Sequence, residues 1–218
     1  MSKLKHPWPT QKAMEQVYEL NLWGGSNYEF YSGEGSHLPE LVEPYLTSVI
    51  RFLTSFDPLL SICDLGCGDF NVGKHLFSYS SEYTAIDIVP KLIARNAQLF
   101  KADHLKFISK DISAEAWPSA DCIILRQVLQ HLSNSEVLSV VMKLKSYKYI
   151  ILTEHTPSGT FTPNIDILSG QGIRLGKQSG IDLLAPPFNL PVKKQQELLK
   201  IHLGGRKGCL VTSLYTMS

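Results

Sequence analysis

Three carboxylates stand at regular intervals along the first half of the chain, each closing a short apolar run: Asp64, Asp87 and Asp111. A glycine turn (Gly66, Cys67, Gly68) follows the first of them. Glycine lets a backbone approach a ligand closely, and a carboxylate about 20 residues further on suits a pair of ribose hydroxyls. A phosphate cradle is disfavoured, because Asp64 and Asp69 flank the turn and would repel an anion. The residue types therefore suit a nucleoside ligand with a cationic head and no phosphate. Gly73 also follows Gly68 at a wider spacing than the dinucleotide fingerprint allows. Further along, Arg126, Gln127 and His131 leave a fourth apolar run, and Glu154 and His155 leave a fifth. A histidine there has two readings, general base for an acceptor hydroxyl or neutral packed imidazole. Glu154 is the second candidate base.

The run Asp64-Leu-Gly-Cys-Gly68 resembles the first motif, D/E-x-G-x-G, of class I S-adenosylmethionine-dependent methyltransferases. W-G-G, S-G-x-G-S, I-D-I-V-P, V-L-x-H-L-S-N and A-P-P-F-N-L-P extend the similarity over roughly residues 23–217, to a group of small bacterial methyltransferases. The resemblance implies that Asp64, Gly66, Gly68, Asp87, Asp111 and Gln127 belong to the cofactor site, with Cys67, Ile88, Ile112 and Arg126 beside them. By the same resemblance Asp111 reads the adenine amine and an adjacent backbone N–H supports a ring nitrogen. Gln127 departs from the pattern, since similar sequences tend to carry Asp there. No Asn/Asp-Pro-Pro-Tyr motif follows the fourth strand, so methylation of an exocyclic nucleobase amine is disfavoured.

The elements that must position these groups follow from pattern. Apolar stripes predict helices over 10–23 and 39–56, with further helices over 91–99 and 135–146, and a helix-like segment over 70–77. Parallel strands are expected near 59–64, 83–89, 105–112, 120–126 and 147–154. Two more strands flank the turn Gly204-Gly-Arg-Lys-Gly208 as an antiparallel hairpin. The expected fold is an α/β, Rossmann-like sheet of seven mostly parallel strands with helices on both faces. It forms one domain: an N-terminal helical and lid segment (1–56), a cofactor-binding core (57–155), an acceptor-side insertion (156–191) and the closing hairpin (192–218). The segment 23–37 joins glycines to aromatics and reads either as a linker or as a lid. Trp23, Tyr28 and Tyr31 from it, with His155 and Arg174, are the expected acceptor-binding residues.

Composition narrows the classes. With 218 residues, 44% hydrophobic and 19% charged, the chain suits one globular domain. A formal net charge of +1 gives no general footprint for nucleic acid. The four cysteines lack metal-type spacing, so no metal is expected and a reduced, cytoplasmic setting is. No apolar run approaches membrane-spanning length. The expectation is methyl transfer from S-adenosylmethionine to a small molecule or sugar, at oxygen, with no nucleic-acid or membrane partner and no oligomeric state implied. A cofactor-binding regulatory protein and a nicotinamide-dependent oxidoreductase are the alternatives.

Overall fold

The computed structural model describes residues 8–204 and 208–217. The polar opening of the chain up to Pro7 and the centre of the closing turn, 205–207, lie outside them. Seven strands form one sheet: β1 (Ile62–Leu65), β2 (Tyr83–Asp87), β3 (Leu105–Ser109), β4 (Cys122–Arg126), β5 (Tyr149–Thr156), β6 (Lys194–His202) and β7 (Cys209–Thr216). Their order is β3-β2-β1-β4-β5-β7-β6. The pairs from β3 through β5 are parallel, and β7 runs antiparallel to both β5 and β6. This is the sheet expected from the sequence.

Burial explains the pattern. All four residues of β1 are buried, as are the first four of β4, because a central parallel strand is covered on both faces. One face packs on α2 (Pro39–Leu53) through Tyr45, Val49 and Leu53. The other packs on α4 (Asn134–Leu144) through Val137, Val140, Val141 and Leu144. Fully burying such side chains stabilises the fold by roughly 1.5–3 kcal/mol each. Two prolines start α2 and α3 (Pro90–Leu99) at the first helical position, where a missing N–H loses nothing. Ser133 starts α4 with a capping box: its hydroxyl accepts from the Glu136 N–H, and the Glu136 carboxylate answers the Ser133 N–H.

Several boundaries differ from expectation. The glycine turn leads into two short 3-10 turns, Gly73–His75 and Phe77–Tyr79, rather than a helix over 70–77. Phe70 takes a φ of +63° and buries its ring completely over Gly73, where an added Cβ would meet Phe70 Cε2 at 2.3 Å. That left-handed step stops a helix from starting there. The first helix, α1 (Thr10–Glu19), ends before Trp23, because Asn21 is also left-handed. Strand β3 stops at Ser109, so Asp111 lies in the following turn rather than in the strand.

The insertion contains one short 3-10 turn, Arg174–Lys177, yet it is anchored: Ile181, Leu183, Phe188 and Leu190 join the core beside α4. Among the described residues no helix is long and apolar enough to cross a membrane. Among the same residues no group of three or more His, Cys, Asp and Glu could hold a metal ion.

Candidate active site

In an open parallel sheet the strands flanking a reversal of order leave a crevice at their carboxyl ends. Here β1 and β4 are those strands, and a cavity of about 410 Å³ opens above them. It is bordered by the glycine turn, the ends of β2, β3 and β4, the N-terminal segment and part of the insertion. Gly66, Cys67, Gly68, Asp87, Ile88, Asp111, Ile112, Arg126 and Gln127 all border it. Asp64 does not.

Asp87 is the best-built anion in the cleft. It is 8% exposed; Oδ2 accepts from the Gly68 N–H at 3.1 Å and Oδ1 from the Val89 N–H at 3.0 Å. Burial raises its pKa, a sign that the carboxylate is desolvated there. Such a group gains by accepting from ligand hydroxyls. Gly68 has a φ of +56°, and a Cβ there would meet Ser32 Oγ at 2.4 Å, so the turn has room only for glycine. Asp111 takes its Ser113 and Ala114 bonds on Oδ1. These residues fit a ligand carrying a ribose and no phosphate.

Asp64 faces the other way. It is 6% exposed, accepts from the Tyr83 hydroxyl at 2.8 Å, and shares a second cavity of about 30 Å³ with Tyr45 and Arg126 beneath the glycine turn. Burial pushes its carboxyl up to about 7. The group lies behind the turn, bonded to Tyr83, rather than lining the cleft.

The N-terminal segment forms one wall of the cleft, clasped by residues that sequence reasoning missed. Asp69 Oδ2 accepts from the Ser32 N–H at 3.0 Å and meets His37 Nε2 at 2.5 Å. Ser32 Oγ accepts in return from the Asp69 N–H at 2.8 Å. Arg126 lies over the Tyr45 ring and donates to Gly35 O and Ser36 Oγ. Gln127, at a φ of +58°, sits so close to Gly35 that a Cβ there would meet its Oε1 at 2.2 Å. Asp69→Ala is expected to free this wall, weakening S-adenosylhomocysteine binding by about tenfold, since two or three charge-assisted bonds are lost. Titration calorimetry reads the affinity, and trypsin cleavage at Arg95 against chymotrypsin cleavage within 23–37 locates the loosening.

The expected acceptor residues separate. Trp23 and His131 meet at the cleft, their rings 5.1 Å apart. His131 Nδ1 lies 3.3 Å from Gly172 O, so it carries the proton, and Nε2 lies 3.3 Å from the Gln130 amide nitrogen. Desolvation pushes its pKa down to about 4, leaving a neutral imidazole and a weak base. Tyr28 is exposed and Tyr31 stacks on His37; neither borders the cleft. His155 lies behind it, its N–H donating to Gln130 Oε1.

Arg174 is also away from the cleft and 1% exposed. It donates to Ile165 O, Leu129 O, Gln130 O, Leu132 O and Asn134 Oδ1. A guanidinium has five N–H donors, so none remains for an acceptor.

Glu154 is 2% exposed beneath the Leu129–His131 turn, where Oε1 accepts from the Leu129 N–H and Oε2 is unpartnered. Desolvation pushes its carboxyl up to about 8, so it holds its proton at neutral pH and faces no acceptor. The unfolded chain releases that proton near 4.5, so between these values the folded state binds more protons and stability falls as pH rises. The expected slope approaches about 1.4 kcal/mol per pH unit. Asp64 adds to it up to about pH 7. Glu154→Gln should flatten the slope between pH 7 and 8, as read by urea unfolding at several pH values.

A sheet of this order, with a glycine turn and an acid-lined cleft over the β1–β4 crevice, defines the class I methyltransferase architecture. Residues 63–147 match the family model described as a methyltransferase domain. The fold is that of the class I S-adenosylmethionine-dependent methyltransferases. Nodulation protein S of Sinorhizobium fredii (strain NBRC 101917 / NGR234) is 25% identical over 115 residues, 52% of this chain and 50% of that protein. The match thus spans about half the length of that relative. The N-methyltransferase NodS of Bradyrhizobium japonicum WM9, solved with S-adenosyl-L-homocysteine, superposes with a TM-score of 0.65 at 14% identity, over 94% of this chain and 100% of that one. Magnesium protoporphyrin IX methyltransferase (ChlM) of Synechocystis PCC 6803, solved with bound SAM, gives 0.60 at 16% identity, over 98% and 100%. These likenesses in structure establish the fold.

Proposed function

We propose that the protein acts, as one domain, by transferring a methyl group from S-adenosylmethionine to an oxygen of a small-molecule or sugar acceptor. The observation that carries this is the desolvated Asp87 carboxylate, held against the Gly68 N–H at the mouth of a cleft of about 410 Å³. Bound there, S-adenosylmethionine supplies a methyl group already activated on a sulfonium. Asp87 takes the ribose hydroxyls, the turn after Asp111 borders the adenine, and the glycine turn with Gln127 borders the methionine end. The chain's part would be to hold that sulfonium in line with the acceptor oxygen, which would displace sulfur with its electron pair from the methyl carbon and give up its own proton to water. Positioning supplies much of the rate in such a displacement. His131, neutral and partnered on both ring nitrogens, is a wall of the acceptor site in this reading rather than its base.

Oxygen is favoured because the cleft offers no buried, ionised carboxylate to draw an ammonium near Trp23: Glu34 is exposed and Glu154 lies behind the wall. Nitrogen is the second reading, suggested by the solved N-methyltransferase. A cytoplasmic setting belongs to the same proposal, in keeping with the buried thiols of Cys63, Cys122 and Cys209. The test is incubation with carbon-13 methyl-labelled S-adenosylmethionine and an extract of host small molecules. The methyl carbon's shift in the product tells O-methyl from N-methyl, and an N-methyl product would overturn the oxygen assignment.

A further inference from the structure

Part of the cleft comes from segments beyond β1–β3: Met14 of α1, Trp23, Gln130 and His131 after β4, and Gln171 and Ile173 of the insertion. None of these carries a formal charge at neutral pH, since His131 is a neutral imidazole. The two cations elsewhere in the lining, Lys110 and Arg126, already make hydrogen bonds to neutral oxygens of the protein. Lys110 donates to Ala116 O at 2.9 Å and lies 3.8 Å from Glu115. Arg126 donates to Gly35 O, Ser36 Oγ and Gln127 Oε1. Three acids, Glu34, Asp87 and Asp111, border the same space. An anionic acceptor would lose its hydration and meet three carboxylates against two cations. A cationic acceptor would approach a sulfonium, and a protonated amine has no lone pair to give.

What the wall does offer is a flat face and hydrogen-bonding amides. The Trp23 indole is half-buried and braced by His131. Gln171 donates through Nε2 to Leu22 O at 2.9 Å, which ties the insertion to the N-terminal segment and orients its amide. Its Oε1 can then accept from a hydroxyl. Gly170 N donates to His131 O at 3.0 Å, tying the insertion also to the turn after β4.

We infer that the acceptor is an uncharged, hydroxyl-bearing ring compound, seated against the Trp23 indole and hydrogen-bonded by Gln171. This rests on the methyltransferase reading and narrows it. The test uses methyl-tritiated S-adenosylmethionine with a deproteinised extract of the native host, the products being separated on anion and cation exchangers at neutral pH. Label is expected in the unretained, neutral fraction. Trp23→Ala should lower its rate of appearance by about tenfold or more, with S-adenosylhomocysteine affinity changed less than about twofold. Absence of label from the neutral fraction, whether it is retained on a column or missing altogether, would overturn the inference. Equal losses of labelling and cofactor affinity in Trp23→Ala would overturn the indole's role. Titration of the wild type with S-adenosylhomocysteine separates these results from failure of the methyltransferase reading, which no binding would signal.

Discussion

Asp87→Ala is expected to weaken S-adenosylmethionine and S-adenosylhomocysteine binding at least 100-fold. In the proposed complex the carboxylate accepts from two ribose hydroxyls, and a hydrogen bond to a charged group is worth about 1.5–3 kcal/mol. Two such bonds amount to roughly two to four decades in affinity. The substitution also frees the Gly68 and Val89 N–H groups, which loosens the turn that borders the methionine end. Asp87→Asn keeps an acceptor oxygen and the approximate shape, so it should fall between wild type and alanine. Calorimetric titration of the three proteins checks the order. Near-wild-type binding by the alanine variant would remove the residue from the cofactor site. The folded-state pKa of this carboxyl is raised, so its removal should not lower thermal stability by the amount a buried ion pair would.

Arg174→Met is expected to be the most destabilising single change outside the hydrophobic core. The guanidinium collects the carbonyls of Leu129, Gln130 and Leu132 together with Ile165 O and the Asn134 side chain, and so pins the insertion beneath the exit of β4. Methionine fills much of the volume but leaves those acceptors without donors. Breaking a buried charged network costs about 3–5 kcal/mol. For a chain of this size that is a fall in Tm of about 10 °C. Lysine should rescue little, because a point charge cannot reproduce the fork. The measurement is a thermal melt alongside methyl-transfer kinetics. An acceptor-binding arginine, as the sequence suggested, would instead raise KM with Tm unchanged.

The sheet was legible because its signals are local. Apolar runs ending in Asp64 and Asp87 place β1 and β2, and the apolar run 122–125 places β4. The glycine turn and Asp87 meet at the cleft for a related reason, since both follow the carboxyl ends of neighbouring parallel strands. Failures arose where a residue's role depends on what folds against it. Glu154 and Arg174 look like chemistry in sequence, but burial makes one a protonated carboxyl and the other a scaffold. Asp69, Ser32 and His37 passed unremarked as a unit because more than thirty positions separate the partners. The S-G-x-G-S run was the available signal, since Gly33 at a φ of +83° and Gly35 against Gln127 both require glycine. The Phe70 step defeated the helix prediction because a bulky residue in the left-handed region leaves no mark in an apolar pattern.

Trp23 and Trp117 give the cleft a pair of optical reporters. Trp117 is buried, and its indole N–H donates to Ile112 O beside Asp111, so its emission should answer to filling of the adenine end. Trp23 stands against the imidazole of His131 in the opposite wall and should answer to the acceptor. Trp8, 61% exposed, contributes a quenchable background that iodide removes. Replacing Trp8 and one other tryptophan with phenylalanine leaves a single fluorophore at a chosen end of the cleft. The order in which donor and acceptor arrive can then be followed by stopped-flow emission, without a label and before any product is identified.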